Sequence, residues 1–147
     1  MDLLVAVRQL YSAMERFDAA AAARLGVDRT GLRAINAMER GAVSPGQLAR
    51  ELGLTSGSVT ALLDRLERAG HIERALSLKD GRRRDAHLGT ATRQQAEAVY
   101  GRLGAAIEEA FSADDPQALA KLGSGVVRLA EAFNAAYQPQ TTSAAPT

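Results

Sequence analysis

The stretch LARELGLTSGSVTALLDRLERAGHIER, Leu48 to Arg74, decides the fold of this chain. It predicts two short amphipathic helices that are joined by a turn at Gly53 and followed by a strand. On the second helix, apolar residues recur at i, i+3, i+4 and i+7: Val59, Leu62, Leu63 and Leu66. Its opposite face is small and polar and ends in arginines: Ser58, Ala61, Arg65 and Arg68. A helix face of this kind fits the major groove of DNA.

Helices are also predicted on the N-terminal side of this stretch. Residues 3–25 carry apolar side chains at the alternating spacings of four and three that are typical of packed helices, and Gly26 ends the run. A second helix is predicted over about residues 29–40. The next helix begins near Ser44, which can cap it, and Gln47 can complete a capping box.

A β-hairpin is predicted directly after the quoted stretch. Residues 72–75 and 84–88 favour two strands, and the turn pair Asp80-Gly81 lies between them. The tip of this hairpin is basic. It follows the helix that carries the small polar face, so both elements are available to one polyanionic partner.

The C-terminal part of the chain returns to helix at about Thr90 and again at Pro116. Residues 138–147 are rich in Pro, Ser, Thr and Ala and are predicted to be a disordered tail. The outer helices, 3–25 and 90–137, carry more apolar surface than a small core needs. We therefore expect them to pair across a two-fold axis in a homodimer.

Composition excludes several kinds of site. The chain has 147 residues, a net charge of +1 and no cysteine, which excludes disulfides and thiolate metal sites. His71 and His87 are too few for a histidine metal cage, so we predict no metal and no cofactor. Asp64 and Glu67 are better explained by a salt bridge to Arg68 or to the hairpin than by catalysis. Since no nucleophile motif or phosphate loop is present, we predict that the protein is not an enzyme.

Positive charge is concentrated around the hairpin. Between Arg65 and Arg93, eight basic residues stand against four acidic ones, and this local excess can steer a polyanion. The chain shows no basic leader and no apolar run that approaches about 18 residues. We therefore expect a cytoplasmic protein without a membrane span.

The order of helix, helix, turn, helix, hairpin and two long helices resembles the MarR family of winged helix-turn-helix transcription regulators over about residues 3–137. The motifs that carry the resemblance are Leu48-Ala49, Gly53, Thr55 to Thr60, Asp64-Arg65-Leu66-Glu67 with Gly70, and Asp80-Gly81-Arg82. After the hairpin the family usually continues Leu-Thr-x-x-Gly, whereas this chain has Leu88-Gly89-Thr90. This departure affects the start of the next helix. It leaves untouched the second helix of the quoted stretch, from Thr55 to the turn at Gly70, which we call the reading helix.

The resemblance implies a mainly α fold with a small β-hairpin wing. It implies one domain over residues 1–137, in which a winged helix-turn-helix unit at 28–89 binds DNA and the flanking helices 3–25 and 90–137 form the dimer. It also implies a homodimeric repressor that binds a near-palindromic operator in double-stranded DNA and is released by a small aromatic or lipophilic effector. The alternative is a winged-helix module for protein–protein assembly without a specific DNA target. Docking surfaces usually show exposed aromatic residues, and this hairpin has none.

The candidate DNA contacts lie on the reading helix and on the wing. On the helix they are Ser56, Ser58, Thr60, Ala61 and Arg65, with a solvated helix face as the alternative. On the wing they are Lys79, Arg82, Arg83 and Arg84, with a solvated basic loop as the alternative. Arg82 is expected in the minor groove, held in position by Asp80. Ser44 and Gln47 could bind a phosphate at a helix N-terminus, and simple capping explains them equally well.

A ligand pocket is expected between the dimer helices and the winged helix-turn-helix unit at 28–89. The suggestive cluster on the first helix is Tyr11, Met14, Arg16 and Phe17. Tyrosine and arginine would hold a carboxylate or phenolate, and methionine and phenylalanine would cover a ring. At helical spacing, however, methionine and phenylalanine are more often part of a plain core.

Overall fold

A computed structural model describes residues 2–137 of the chain, with the side chain of residue 137 left aside, and the predicted tail at 138–147 lies outside the described residues. The described part has eight elements: α1 (Leu3–Leu25), α2 (Arg29–Met38), α3 (Pro45–Leu52), α4 (Ser56–Arg68), β1 (Ile72–Leu76), β2 (Arg84–Leu88), α5 (Thr90–Ala110) and α6 (Pro116–Tyr137). The predicted fold class, mainly α with a β-hairpin wing, is confirmed. Two compact units are formed, one ending at Arg102 and one beginning at Leu103, and each is described by itself. The single domain over 1–137 stays a prediction.

Local capping explains where the helices begin and end. Asp2 caps α1, and Gly26 ends it with φ 69° in the left-handed region that glycine adopts readily. Thr55 caps α4 by accepting a hydrogen bond from the Ser58 backbone N–H at 3.2 Å. Gly53 turns the chain between α3 and α4 with φ 67°. The predicted bounds of these helices agree with the structure to within about two residues, the usual uncertainty of helix ends.

The two strands pair antiparallel, with a register that runs from Ile72 opposite Leu88 to Leu76 opposite Arg84. A third segment joins this sheet at one residue. Val43 donates to the Ala86 carbonyl at 2.9 Å and accepts from the Ala86 N–H at 2.8 Å. This bridge was not predicted, because a single paired residue produces no alternating pattern along the sequence.

The first unit has a core built from the apolar faces of α2, α3, α4 and β1. Its largest fully buried side chains are Leu32, Ile35, Met38, Leu48, Val59, Leu63, Leu66 and Ile72. The face predicted for α4 is thus buried as expected, since Leu62 is buried as well. The core supports the exposed side of α4 from behind.

Other apolar residues are exposed. In the first unit, the N-terminal half of α1 presents Leu3, Leu4, Val5, Leu10, Tyr11 and Met14. In the second unit, Asp115 caps α6 through the Ala118 N–H at 3.1 Å, and no α6 residue from 116 to 136 is buried. The large apolar residues that α6 exposes are Leu122, Val126, Val127 and Phe133. Each of these faces has the apolar spacing of a packed helix and is exposed among residues 2–137.

Candidate nucleic-acid interface

The N-terminal half of α4 presents a small, uncharged and polar surface. Ser56, Ser58, Thr60 and Ala61 are all exposed. The Thr60 hydroxyl donates to the Ser56 carbonyl at 3.0 Å, and the Thr55 hydroxyl donates to the Ser58 hydroxyl oxygen at 2.9 Å. The Ser58 hydroxyl therefore keeps its own proton for an outside acceptor. Residues 55–63 include no charged side chain, so this surface can approach base edges closely.

The C-terminal half of α4 is charged and is tied to β1. Arg74 donates to Asp64 Oδ1 at 2.7 Å and, through Nε, to Glu67 Oε2 at 2.9 Å. The hydrogen bond from Arg74 lowers the pKa of Glu67 below its ordinary value. Asp64 and Glu67 thus form a salt bridge to the hairpin, one of the two bridges predicted for them. Arg74 itself was not predicted, although two carboxylates at i and i+3 before a strand arginine were visible.

Arg65, in the C-terminal half of α4, contacts the residue that caps α2. Its Nη2 lies 2.9 Å from Asp28 Oδ2 and 3.2 Å from Asp28 Oδ1. The same carboxylate caps α2 by accepting from the Gly31 N–H at 2.7 Å. The structure places Arg65 in a contact with α2, and its predicted contact with DNA stays a prediction. Asp28 gave no signal in the sequence beyond its place before a helix.

The wing is held in shape by Ser77, which is buried. Its hydroxyl oxygen accepts from the backbone N–H groups of Lys79 and Asp80, both at 3.3 Å, and its own N–H donates to the Arg83 carbonyl at 2.7 Å. Asp80 Oδ1 accepts from the Arg82 backbone N–H at 3.1 Å. Asp80 therefore holds the backbone of Arg82 in position, as expected from the sequence.

The four wing cations do not have equal freedom. Within residues 2–137, Lys79 and Arg82 are exposed and make no salt bridge. Arg83 donates through Nε to Asp85 Oδ1 at 2.8 Å, which raises the pKa of Arg83 and lowers the pKa of Asp85. Arg84 donates to the Arg74 carbonyl at 2.8 Å and stays exposed. Arg83 thus braces the wing through Asp85, and its contact with DNA stays a prediction.

Ser44 and Gln47 form the capping box of α3. The Ser44 hydroxyl accepts from the Gln47 N–H at 3.1 Å, and the Gln47 side chain accepts from the Ser44 N–H at 2.9 Å. Ser44 is also buried. Capping therefore accounts for both residues. They line a groove of about 810 Å³ between α3 and the wing, together with Arg50 and Lys79.

The four predicted ligand contacts on α1 are not brought together. Tyr11 is exposed and donates to Glu15 Oε1 at 2.9 Å. Arg16 lines a shallow groove along α1, whereas Phe17 packs towards the core, with its ring centroid 5.5 Å from that of Tyr100. Met14 is exposed. Arg16 and Phe17 thus line different grooves, and the contact of these four residues with a ligand stays a prediction.

The two histidines have local partners. His71 Nδ1 lies 3.1 Å from the Thr92 hydroxyl, and His87 Nε2 lies 3.4 Å from Glu73 Oε2. Across residues 2–137, no three histidine or carboxylate side chains are grouped so that they could hold a metal ion. In the same range, no helix combines the length and the apolar character that a membrane crossing requires.

Comparisons with known proteins bear on this arrangement. The sequence model of the MarR family matches residues 22–83, which include α2 to β1 and the wing tip. The chain is 42% identical over 77 residues to the uncharacterised HTH-type transcriptional regulator YcgE of Bacillus subtilis (strain 168). That alignment covers 52% of this chain and 50% of YcgE, so it spans about half the length of this relative.

Solved structures share the fold. A MepR mutant from a multidrug-resistant S. aureus clinical isolate superposes with a TM-score of 0.68 at 17% identity, covering 90% of this chain and 98% of that chain. A MarR family protein from Bacillus stearothermophilus gives a TM-score of 0.69 at 15% identity, covering 90% and 93%. At these identities the likeness concerns the fold alone.

The helix-turn-helix of α3 and α4 with the hairpin behind it defines the class of winged helix-turn-helix proteins. Residues 22–83 match the sequence model of the MarR family, and over this part of the chain the resemblance stated from the sequence is confirmed.

Proposed function

We propose that the protein is a sequence-specific DNA-binding transcription regulator that acts as a homodimer. The observation that carries the proposal is that one compact unit presents two exposed surfaces, the N-terminal half of α4 and the wing. The first half of α4 exposes only small polar side chains, and the wing exposes Lys79 and Arg82 on a backbone fixed by Ser77. Small polar residues suit base edges, and free cations suit phosphates or a narrow minor groove.

The dimer is supported by the unpartnered apolar faces of α1 and α6. Several large apolar residues on each helix remain exposed in the single chain. Burying such surface stabilises an assembly by roughly 25 cal/mol per Å² of apolar area. A two-fold dimer would place two copies of α4 in successive major grooves about 34–36 Å apart, with the wings over the flanking minor grooves. Such a dimer requires a near-palindromic operator.

The regulatory part of the proposal is a repressor that an effector releases from the operator. A small aromatic or lipophilic ligand can act only if it binds better to the dimer whose two α4 helices have the wrong spacing. Tyr11, Met14, Arg16 and Phe17 remain the predicted contacts for such a ligand. This role requires access to the chromosome and therefore a cytoplasmic location.

The first test is fluorescence anisotropy of the purified protein with DNA from upstream of its own gene. The titration includes excess nonspecific competitor and a salt series. We expect tight, competitor-resistant binding at one dimer per site. Binding that competitor abolishes at physiological salt, on this DNA and on a selected random-sequence pool, would contradict the proposal.

Two variants separate the roles of wing and helix. Arg82→Ala should weaken binding to all sequences and reduce the salt slope by about one, because it removes a contact to the DNA backbone or groove. Ser58→Ala should relax the sequence preference with little change in the salt slope. Arg24→Ala, at an exposed arginine of α1, is the matched control and should change neither quantity. Unchanged binding in both test variants would rule out this docking mode.

A protein-docking role is the second candidate, and one observation favours it. Leu76 and Leu78 of the wing are exposed, and Leu78 is exposed completely. A docking module would lose its partner on Leu78→Ser and would show no competitor-resistant DNA binding. A DNA reader would keep its operator after the same substitution.

A further inference from the structure

The two halves of α4 differ in what their side chains contact. Arg65 lies nine residues after Ser56, about 13 Å along the helix axis, beyond the N-terminal part that a reading helix usually places against bases. Its guanidinium contacts both oxygens of Asp28, at 2.9 Å and 3.2 Å. The side chain is therefore engaged with the first turn of α2.

The contact between α4 and the start of α2 is built at close range. Asp28 uses Oδ1 for Arg65 and also for the Gly31 N–H at 2.7 Å, so one carboxylate caps α2 and holds α4. A Cβ on Gly31 would lie 3.1 Å from Asp28 Oδ1 and 3.5 Å from a methyl carbon of Leu66. The contact with Leu66 would be an ordinary van der Waals distance, whereas the contact with Asp28 would be tight, so glycine at this position leaves room for the carboxylate that caps α2 and holds Arg65.

The same corner is tied to α1. Arg29, the residue after Asp28, lies 3.4 Å from Glu15 Oε1 on α1. That oxygen also accepts from the Tyr11 hydroxyl at 2.9 Å. Polar contacts therefore lead from Tyr11, on the exposed apolar half of α1, to the α1–α2 corner. At that corner the neighbouring residue Asp28 holds α4.

We propose that Asp28 and Arg65 are positioning residues that set the orientation of α4 on the α1–α2 corner, and that Arg65 makes no contact with DNA. The inference rests on the proposed function, since it concerns the helix that reads DNA. On the other side of α4, Arg74 holds Asp64 and Glu67. The second half of the helix is thus held on two sides, and the first half is left free to contact bases.

The pair is suited to orientation more than to stability. The side chains of Arg65 and Asp28 are 55% and 56% exposed, and ion pairs with this exposure contribute little to the free energy of unfolding. Variants that break the pair should therefore fold. A tilt of α4 would instead reduce the ratio of operator affinity to nonspecific affinity, because base contacts depend on small distances.

The test compares Arg65→Gln and Asp28→Asn with Arg24→Gln, which removes the same charge at an exposed position of α1. Asparagine keeps the N-cap of α2. We expect Arg65→Gln and Asp28→Asn each to lower the ratio of operator to nonspecific affinity by about twofold to fivefold, with an unchanged salt slope. The double variant should be no worse than either single variant, because one contact is lost in all three. Arg24→Gln should leave the ratio unchanged.

Two results would overturn the inference. One is a salt slope reduced by about one in Arg65→Gln, together with an unchanged or higher affinity ratio in Asp28→Asn, which is the behaviour of an arginine that contacts DNA. The other is amide hydrogen exchange in α4 and the first turn of α2 that neither variant changes in the free protein. Exchange needs no DNA, so it decides the inference even if the wild type binds no operator and the proposed function fails.

Discussion

The winged-helix unit, residues 28–89, and the outer apolar faces of α1 and α6 use similar residues with opposite results. Leu63 of α4 is 2% exposed, whereas Leu122 of α6 is 48% exposed and Phe133 is 57% exposed. Both regions show apolar residues at helical spacing. The difference shows that apolar spacing indicates which face of a helix must be covered. The spacing does not indicate which other surface covers that face.

The largest effect is expected when charge is placed on an outer face. The double variant Leu122→Glu/Val126→Glu, one turn apart on α6, should form monomers, because burying two carboxylates in an apolar interface is unfavourable. Operator affinity should fall by about 100-fold or more, since a second reading helix on the same particle raises affinity by about that factor. Light scattering and anisotropy measure the two quantities.

The matched control is Gln117→Glu/Ser124→Glu, on the opposite side of the same helix. It adds the same charge and should keep both the dimer and its operator affinity. An unchanged dimer in both double variants would mean that this face of α6 does not form the interface.

The comparison between the two regions can be sharpened with one substitution in each. Leu63→Ala should lower the free energy of unfolding by about 2–5 kcal/mol, because it leaves a cavity in the core. Leu122→Ala should lower it by less, and its effect should grow as the protein is diluted, as expected for an interface residue. Urea unfolding at several protein concentrations measures both. Equal, concentration-independent losses would contradict the distinction.

A smaller effect is expected where strands and helix meet at Gly89. A Cβ at this position would lie 3.1 Å from the Gly70 carbonyl oxygen, so Gly89→Ala should destabilise the protein by about 1 kcal/mol. Gly104→Ala is the control, because among the described residues no atom beyond its chain neighbours and the adjacent backbone of α5 lies within 4 Å of its Cβ position. Alanine should stabilise this helix interior by up to about 1 kcal/mol. Thermal unfolding measures whether each substitution raises or lowers the stability. A stabilising Gly89→Ala would contradict the close approach of Gly89 to the Gly70 carbonyl oxygen.

The smallest effect concerns pH. The hydrogen bond from Arg74 lowers the pKa of Glu67 in the folded state. The pair therefore contributes stability that is complete above the ordinary glutamate pKa and is lost as the pH falls through the lowered one. Arg74→Gln should be less stable than the wild type at pH 7, and the difference should shrink at pH 3. Urea unfolding at both values tests this, and a difference that is constant with pH would argue against it.

Much of the fold could be predicted because its signals are local. Ser44 with Gln47, Gly53 and Pro116 each determine a helix end through their own backbone or side-chain chemistry. The exposed face of α4 could also be predicted, because the apolar spacing identifies the buried face and the exposed face lies opposite to it. The Val43–Ala86 bridge could not be, because it joins residues far apart in the chain without a repeating pattern.

The roles of individual arginines were the least predictable part of the site. Arg65, Arg82 and Arg83 have the same side chain in similarly polar surroundings of the sequence. In the structure, Arg65 forms a salt bridge with Asp28, and Arg83 forms one with Asp85. Arg82 forms no salt bridge among the described residues. An arginine reaches a carboxylate through a long side chain, so its partner depends on tertiary distances of a few ångströms.

The sequence by itself determined the order of helices and strands, the buried face of α4 and the basic character of the wing, because capping, periodicity and charge act between near neighbours. Only the tertiary structure decided which charges remain free for a polyanion and which are used to hold α4 and the wing. It also decided that the apolar face of α6 is exposed among the residues that the structure describes. These outcomes depend on the packing of segments that are distant in sequence, and that packing follows from the whole core.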